Sequence, residues 1–202
     1  MADLFTIGHS IHSLEKLLEL LKMHEITAVA DVRSAPYSRF NPQFNRESLC
    51  AELKAANIGY FFYGRNLGGR TQDKSCYLDG KLQYELLSKT AAFKDGIRQI
   101  VDEMDRHRIA LMCAEEDPLM CHRSILVSRH LVDLGVAVAH IREDGSLNSH
   151  EEALNRLVSD LKIGELFGRD YQISEAYSKR GNEIAYIEIE LSPRTTVAGI
   201  GR

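Results

Sequence analysis

The run Cys113-Ala-Glu-Glu-Asp-Pro-Leu-Met-Cys121-His122-Arg123-Ser124 gathers groups that could do chemistry. A thiol, an imidazole and a guanidinium occupy consecutive positions, and a second thiol stands eight residues before them. A thiolate is a nucleophile or a metal ligand. An imidazole moves protons near neutral pH. A guanidinium presents a planar fork that fits phosphate or carboxylate. Asp117 as an N-cap and Pro118 as the first helical residue would put Cys121 about one turn into a helix. There the unpaired N–H groups attract anions and lower a thiol pKa. Consecutive helical residues point about 100° apart, so the three groups cannot face one atom unless the helix starts later.

Each reading has a plainer rival. Cysteine is among the most buried residues, and Cys113 closes an apolar run, so inert packing competes with a role as nucleophile. Cys50 and Cys76 read as structural. No CxxC pair is present. A zinc site built from Cys113, Cys121 and a histidine is therefore a minor reading, and no metal or cofactor is assigned.

Arginines form the second signal. Arg33, Arg39, Arg46, Arg65 and Arg70 are interleaved with Tyr37, Phe40, Phe44, Tyr60, Phe61, Phe62 and Tyr63. Such interleaving suits a phosphorylated ligand that carries a ring, while a solvated surface over core aromatics is the rival. Arg33 and Arg39 are the stronger candidates, because Ser34-Ala-Pro36-Tyr-Ser38 holds them in a tight loop. Asn66-Leu67-Gly68-Gly69-Arg70 matches neither a P-loop nor a dinucleotide fingerprint and reads as a turn.

These groups need elements to carry them. Apolar runs at Leu4–Ile7, Ile26–Val32, Ile58–Tyr63, Ile109–Cys113 and Val136–His140 read as strands. They alternate with helical periods, among them the helix after Ser13, Arg46–Asn57, Phe93–His107 and His150–Leu161. The alternation predicts an α/β domain with a mostly parallel sheet of about five strands and helices on both faces. Residues 64–80 read as a loop. Residues 1–164 form the expected core, and 165–202 an extension with one further strand at Glu183–Leu191, on a sheet edge or paired with a second copy of the chain.

Ligands of open parallel sheets bind beyond the carboxyl ends of the strands. Four strands deliver Gly8-His9-Ser10, Asp31-Val32-Arg33, Cys113-Ala114-Glu115 and His140 to that rim. One cysteine or one aspartate there would be unremarkable, because loops are polar anyway. Their convergence points to a site.

Composition narrows the class. Hydrophobic residues make up 44% and charged residues 27% of 202, a globular balance for one domain. A net charge of -4 argues against a histone-like nucleic-acid binder and leaves room for a local basic pocket. The start of the chain has no secretory pattern, and no apolar run approaches the roughly 20 residues of a membrane helix. Free thiols in a reducing cytoplasm are expected.

Together, Thr6-Ile7-Gly8-His9-Ser10, Asp31-Val32-Arg33 with Pro36 and Ser38-Arg39, Leu67-Gly68-Gly69, and Cys113-Ala114-Glu115 with Pro118 and Cys121-His122-Arg123 resemble the family of domains of unknown function numbered 488. The resemblance spans about residues 4–145. It implies an enzyme-like motif set of bacteria and archaea without a known reaction, and it directs attention to the rim positions.

The leading expectation is a hydrolase or group transferase for an anionic, phosphate-bearing substrate such as a nucleotide or nucleic-acid fragment. Cys121 or Cys113 would attack, His9, Asp31 or Glu115 would move protons, and Ser10, Arg33, Arg39, His122 and Arg123 would bind substrate. A non-catalytic module for nucleotides or nucleic acid is the second reading. A metal-binding protein using Cys113, Cys121 and His122 or His9 is the third.

Overall fold

The computed structural model describes residues 2–164 and 168–188. Eight strands are present among them: β1 (Leu4–Gly8), β2 (Ala28–Asp31), β3 (Gly59–Phe62), β4 (Tyr77–Leu78), β5 (Lys81–Leu82), β6 (Ile109–Cys113), β7 (Val138–Ile141) and β8 (Leu147–Ser149). Six of them form one sheet in the order β3-β2-β6-β1-β7-β8. The five strands expected from the sequence are mutually parallel, and β8 returns antiparallel along β7. Strands β1, β2, β6 and β7 are buried at every position, which is why they read as continuous apolar runs.

The period of two splits β6 between the faces. Ile109, Leu111 and Cys113 enter one apolar cluster, and Ala110 and Met112 the other. Helices α1 (Leu14–Met23) and α2 (Arg46–Ala55) cover the Ala110 face with Leu17, Leu20, Leu21, Leu49 and Leu53. The Cys113 face is covered by α3 (Gly64–Leu67), α4 (Tyr84–Leu87), α5 (Ala91–Met104) and α6 (Arg129–Asp133), through Leu67, Leu87, Phe93, Ile97, Ile100 and Leu131. Helices α7 (His150–Asp160) and α8 (Arg169–Ile184) close a third cluster on Leu119 and Ile125. Ser13 caps α1 by accepting from the Lys16 N–H, and Ser149 with Glu152 makes a capping box on α7. Such caps contribute about 1 kcal/mol each.

Residues 64–80, expected as a loop, hold α3, a 3-10 turn at Lys74–Cys76, and β4 with the turn that leads into β5. Asp79 and Gly80 both have positive φ, 49° and 73°, as a two-residue hairpin turn requires. Glu183 and Ile184, expected to open the C-terminal strand, belong instead to α8. Beyond it Ile187 pairs antiparallel with Lys81, and the Glu188 N–H donates to the Gly80 carbonyl at 2.8 Å. Among the described residues this part of the expected strand therefore meets the small hairpin through one bridge and not the main sheet; residues 189–191 lie outside the described part. No helix among the described residues is long and apolar enough to cross a membrane.

Candidate active site

Strand β6 lies between β1 and β2 and ends in Cys113. The loop after it leads to a 3-10 turn, Pro118–Met120, capped by Asp117, which accepts from the Leu119 N–H at 3.0 Å. Cys121 is extended (φ -138°, ψ 140°), so the helix begins after it and not at Pro118. A wide π-helical turn, Arg123–Ser128, follows and runs into α6. Such turns are frequent at functional sites. The late start removes the 100° problem and lets Cys121 and His122 meet Cys113. The two Sγ atoms lie 3.8 and 3.9 Å from His122 Nδ1. All three donor atoms lie within 4.8 Å of one another and are buried. His122 Nε2 donates to the Val32 carbonyl at 2.9 Å. A carbonyl only accepts, so Nε2 carries the hydrogen and Nδ1 faces the sulfurs.

The two thiols are driven in opposite directions. Burial pushes the Cys121 thiol up, but the hydrogen bond with Cys113 and the charges of Arg123 and His122 outweigh it and hold Cys121 well below the ordinary thiol value. The Arg123 N–H also donates to its Sγ at 3.4 Å. Cys113 is driven up by its hydrogen bond with Cys121 and by burial. Burial lowers His122, yet the neighbouring Cys121 charge raises it overall. Glu115 is raised by burial and by the Cys121 charge.

The arginines divide by task. Arg33 donates through Nε to both Asp31 oxygens, at 2.9 and 3.2 Å, and through NH2 to Oδ2 at 2.6 Å. Asp31 is fully buried and also accepts from Tyr60 Oη at 2.8 Å. Arg33 NH1 reaches His9 Nε2 at 3.3 Å, so that nitrogen accepts and Nδ1–H donates to the Ser10 carbonyl at 2.9 Å. Burial lowers His9 to about 4, in keeping with a neutral ring. Asp31 and His9 thus hold Arg33 in place. Arg123 is 1% exposed and donates to the carbonyls of Glu115 at 2.6 Å and Glu116 at 2.9 Å, and to Thr6 Oγ1 at 3.4 Å. It clamps the loop after β6 and meets no carboxylate within 4.0 Å among the described residues. Arg39 is exposed and Ser10 partly so, with a φ of 46°.

A cavity of about 350 Å³ opens at this rim, lined among others by Arg33, Arg70, Cys113, Glu115, His122 and Tyr186. Cys121 lies behind its wall; His9, Ser10, Asp31, Arg39 and Arg123 do not line it. Two larger cavities, of about 530 and 430 Å³, lie elsewhere: the first lies between α4, α8 and the π-turn, and the second against α5. Neither is lined by a residue from the strand ends of the main sheet. Two glycines permit the close packing. A Cβ on Gly8 would sit 1.9 Å from the Glu115 carbonyl oxygen, and one on Gly69 3.1 Å from the His122 ring.

Sequence reasoning named Arg70 among five candidate arginines but favoured Arg33 and Arg39; Arg70 lines the cavity with its guanidinium 4.3 Å over the Tyr186 ring, and Arg39 does not. Sequence reasoning missed a buried chain behind the site. Arg123 donates to Thr6, so the Thr6 hydroxyl is free to donate to His140 Nδ1 at 2.8 Å; His140 Nε2 then meets His150 Nδ1 at 3.0 Å, and His150 Nε2 meets Tyr177 Oη at 2.7 Å. His140, expected at the rim, belongs to this chain.

The sequence model of a family described as "Domain of unknown function DUF488" matches residues 13–130. That interval contains Asp31, Arg33, Arg39, Cys113, Glu115, Cys121, His122 and Arg123, and it leaves Gly8-His9-Ser10 outside. Comparisons with curated proteins and with solved structures found no match.

Proposed function

The chain belongs to the DUF488 family, and from the geometry of its rim we propose that it is a hydrolase or group transferase for a small anionic, phosphate-bearing substrate such as a nucleotide. One observation carries the reading: Cys113, Glu115 and His122 share one strand-end cavity with Arg33 and Arg70. Its volume of about 350 Å³ suits a small ligand better than a polymer. Arg70 and the free edge of Arg33 supply positive charge for a phosphate, and Tyr186 offers a ring face. Glu115 is the proton carrier that shares the cavity with the sulfur and imidazole cluster, which supplies the reacting group. Asp31, His9 and Arg123 position these groups and do not touch substrate.

The test is a panel of nucleoside mono-, di- and triphosphates and simple phosphoesters, with product read by chromatography. Turnover by the wild-type chain should fall by about 10²–10⁴ in kcat for Glu115→Gln, the usual contribution of a general acid or base. Arg70→Ala should raise KM. Calorimetric binding without turnover would replace this reading by a binding module, and neither binding nor turnover would remove the anionic substrate class.

A further inference from the structure

We propose that Cys113 Sγ, Cys121 Sγ and His122 Nδ1 hold a single divalent cation of the zinc class, with the fourth coordination position open to the cavity beside Glu115. The distances carry the argument. Zinc binds thiolate at about 2.3 Å and imidazole at about 2.0–2.1 Å, so tetrahedral geometry places sulfur and nitrogen about 3.6 Å apart. Here the two separations are 3.8 and 3.9 Å. Movements of a few tenths of an ångström bring each sulfur to that distance from the nitrogen, and the two sulfurs, within 4.8 Å of each other, would close to about 3.8 Å.

The surroundings match what such a ligand set needs. A metal-bound histidine usually gives its other N–H to a carbonyl or carboxylate, which fixes the tautomer and aims the lone pair. His122 does this toward Val32 at 2.9 Å. The Arg123 N–H points at the Cys121 sulfur at 3.4 Å, a contact that favours thiolate. Gly69 leaves room for the imidazole where a Cβ would press on it at 3.1 Å. Two thiolates offset a dication. Two sulfurs with one imidazole in tetrahedral array favour zinc over magnesium or calcium, which take oxygen ligands. Closed structural sites use four protein ligands, whereas three with one open place is the pattern of catalytic sites. Cys113 and His122 line the cavity, so the open place faces substrate. The spacing hid this site. The first ligand ends a strand and the other two stand just ahead of the π-helical turn, so no CxxC is needed.

Binding of the cation stands apart from the enzyme reading; only its use in turnover rests on that reading. The full chain, purified without a metal column, should carry about one zinc by elemental mass spectrometry. After chelation, one equivalent of cobalt should give a thiolate-to-cobalt charge-transfer band. Cys121→Ser and His122→Ala should abolish the band, and Cys50→Ser should leave it intact. If the core variants fail to fold, the wild-type chain decides: zinc should protect Cys113 and Cys121, and not Cys50, from alkylation. No cobalt band in fully reduced protein, or equal alkylation with and without zinc, overturns the site. One bound zinc without turnover of any substrate upholds the site and removes the enzyme reading. Turnover by protein that takes up no cation does the reverse.

Discussion

Replacing Asp31 with asparagine should be among the most damaging single changes in this chain. The carboxylate is fully buried and binds the Arg33 fork through three contacts of 2.6–3.2 Å, with further hydrogen bonds from the Arg33 N–H at 3.0 Å and Tyr60 at 2.8 Å. The Arg33 side chain is only 7% exposed, so solvent cannot take over the lost charge. Removing one partner of a buried pair costs about 3–5 kcal/mol, mostly from the stranded charge. A domain of this size loses roughly 2–4 °C of Tm per kcal/mol, so a fall of about 6–20 °C is expected. Because the cost lies in the unpaired guanidinium, combining Asp31→Asn with Arg33→Met should restore most of the loss. Urea titrations of the four proteins of this cycle measure the coupling. If Asp31→Asn lies within about 1 kcal/mol of wild type, or the double variant loses the sum of the single losses, the pair is not the unit argued here.

Two further outcomes follow from buried groups. His9 and His150 are both lowered by burial to about 4 from 6.5. Between these values the unfolded chain binds protons that the folded one refuses, so stability is full above about pH 6.5 and is lost as pH falls toward 4, by about 3 kcal/mol per histidine at most. Thermal melts from pH 7 to 4.5 should show this slope, and His150→Gln should flatten it; an unchanged slope would count against the assignment. Gly8→Ala must displace the Glu115 carbonyl, 1.9 Å from the new Cβ, and should cost about 3 kcal/mol or more. An alanine protein as stable as wild type, by denaturant titration, would show that the β1–β6 loop contact is loose.

Much of the frame was legible because parallel strands buried on both faces leave apolar runs, and Leu4–Ile7 and Ile109–Cys113 are such runs. Asp117 and Pro118 were read correctly as a cap and a first turn, but that turn is a separate 3-10 element, and only Cys121 in extended conformation makes the thiols meet. Nothing in local periodicity marks where a turn breaks and a second helix starts. The β4–β5 hairpin had a signal that went unused, Asp79-Gly80. Helix α8 was missed because it buries few residues, chiefly Gln172, Ala176, Tyr177 and Gly181, among many charges. The arginine count was informative while the tasks were not: whether Arg33 and Arg123 face a ligand or a neighbour depends on contacts 24 and 117 positions apart in the chain.

The cavity is assembled from two unequal stretches of chain. Its floor, with Cys113, Glu115 and His122, lies inside the family-matched interval 13–130, whereas Ile184 and Tyr186 on its wall come from far beyond it. The wall is fastened by a short pairing with the hairpin and by the Arg70–Tyr186 stacking. Substitutions at 184 and 186 can therefore reshape what enters without disturbing the strand end that would act on it. Chemistry and selectivity are separately evolvable in such an arrangement, and proteins sharing this floor need not share a substrate.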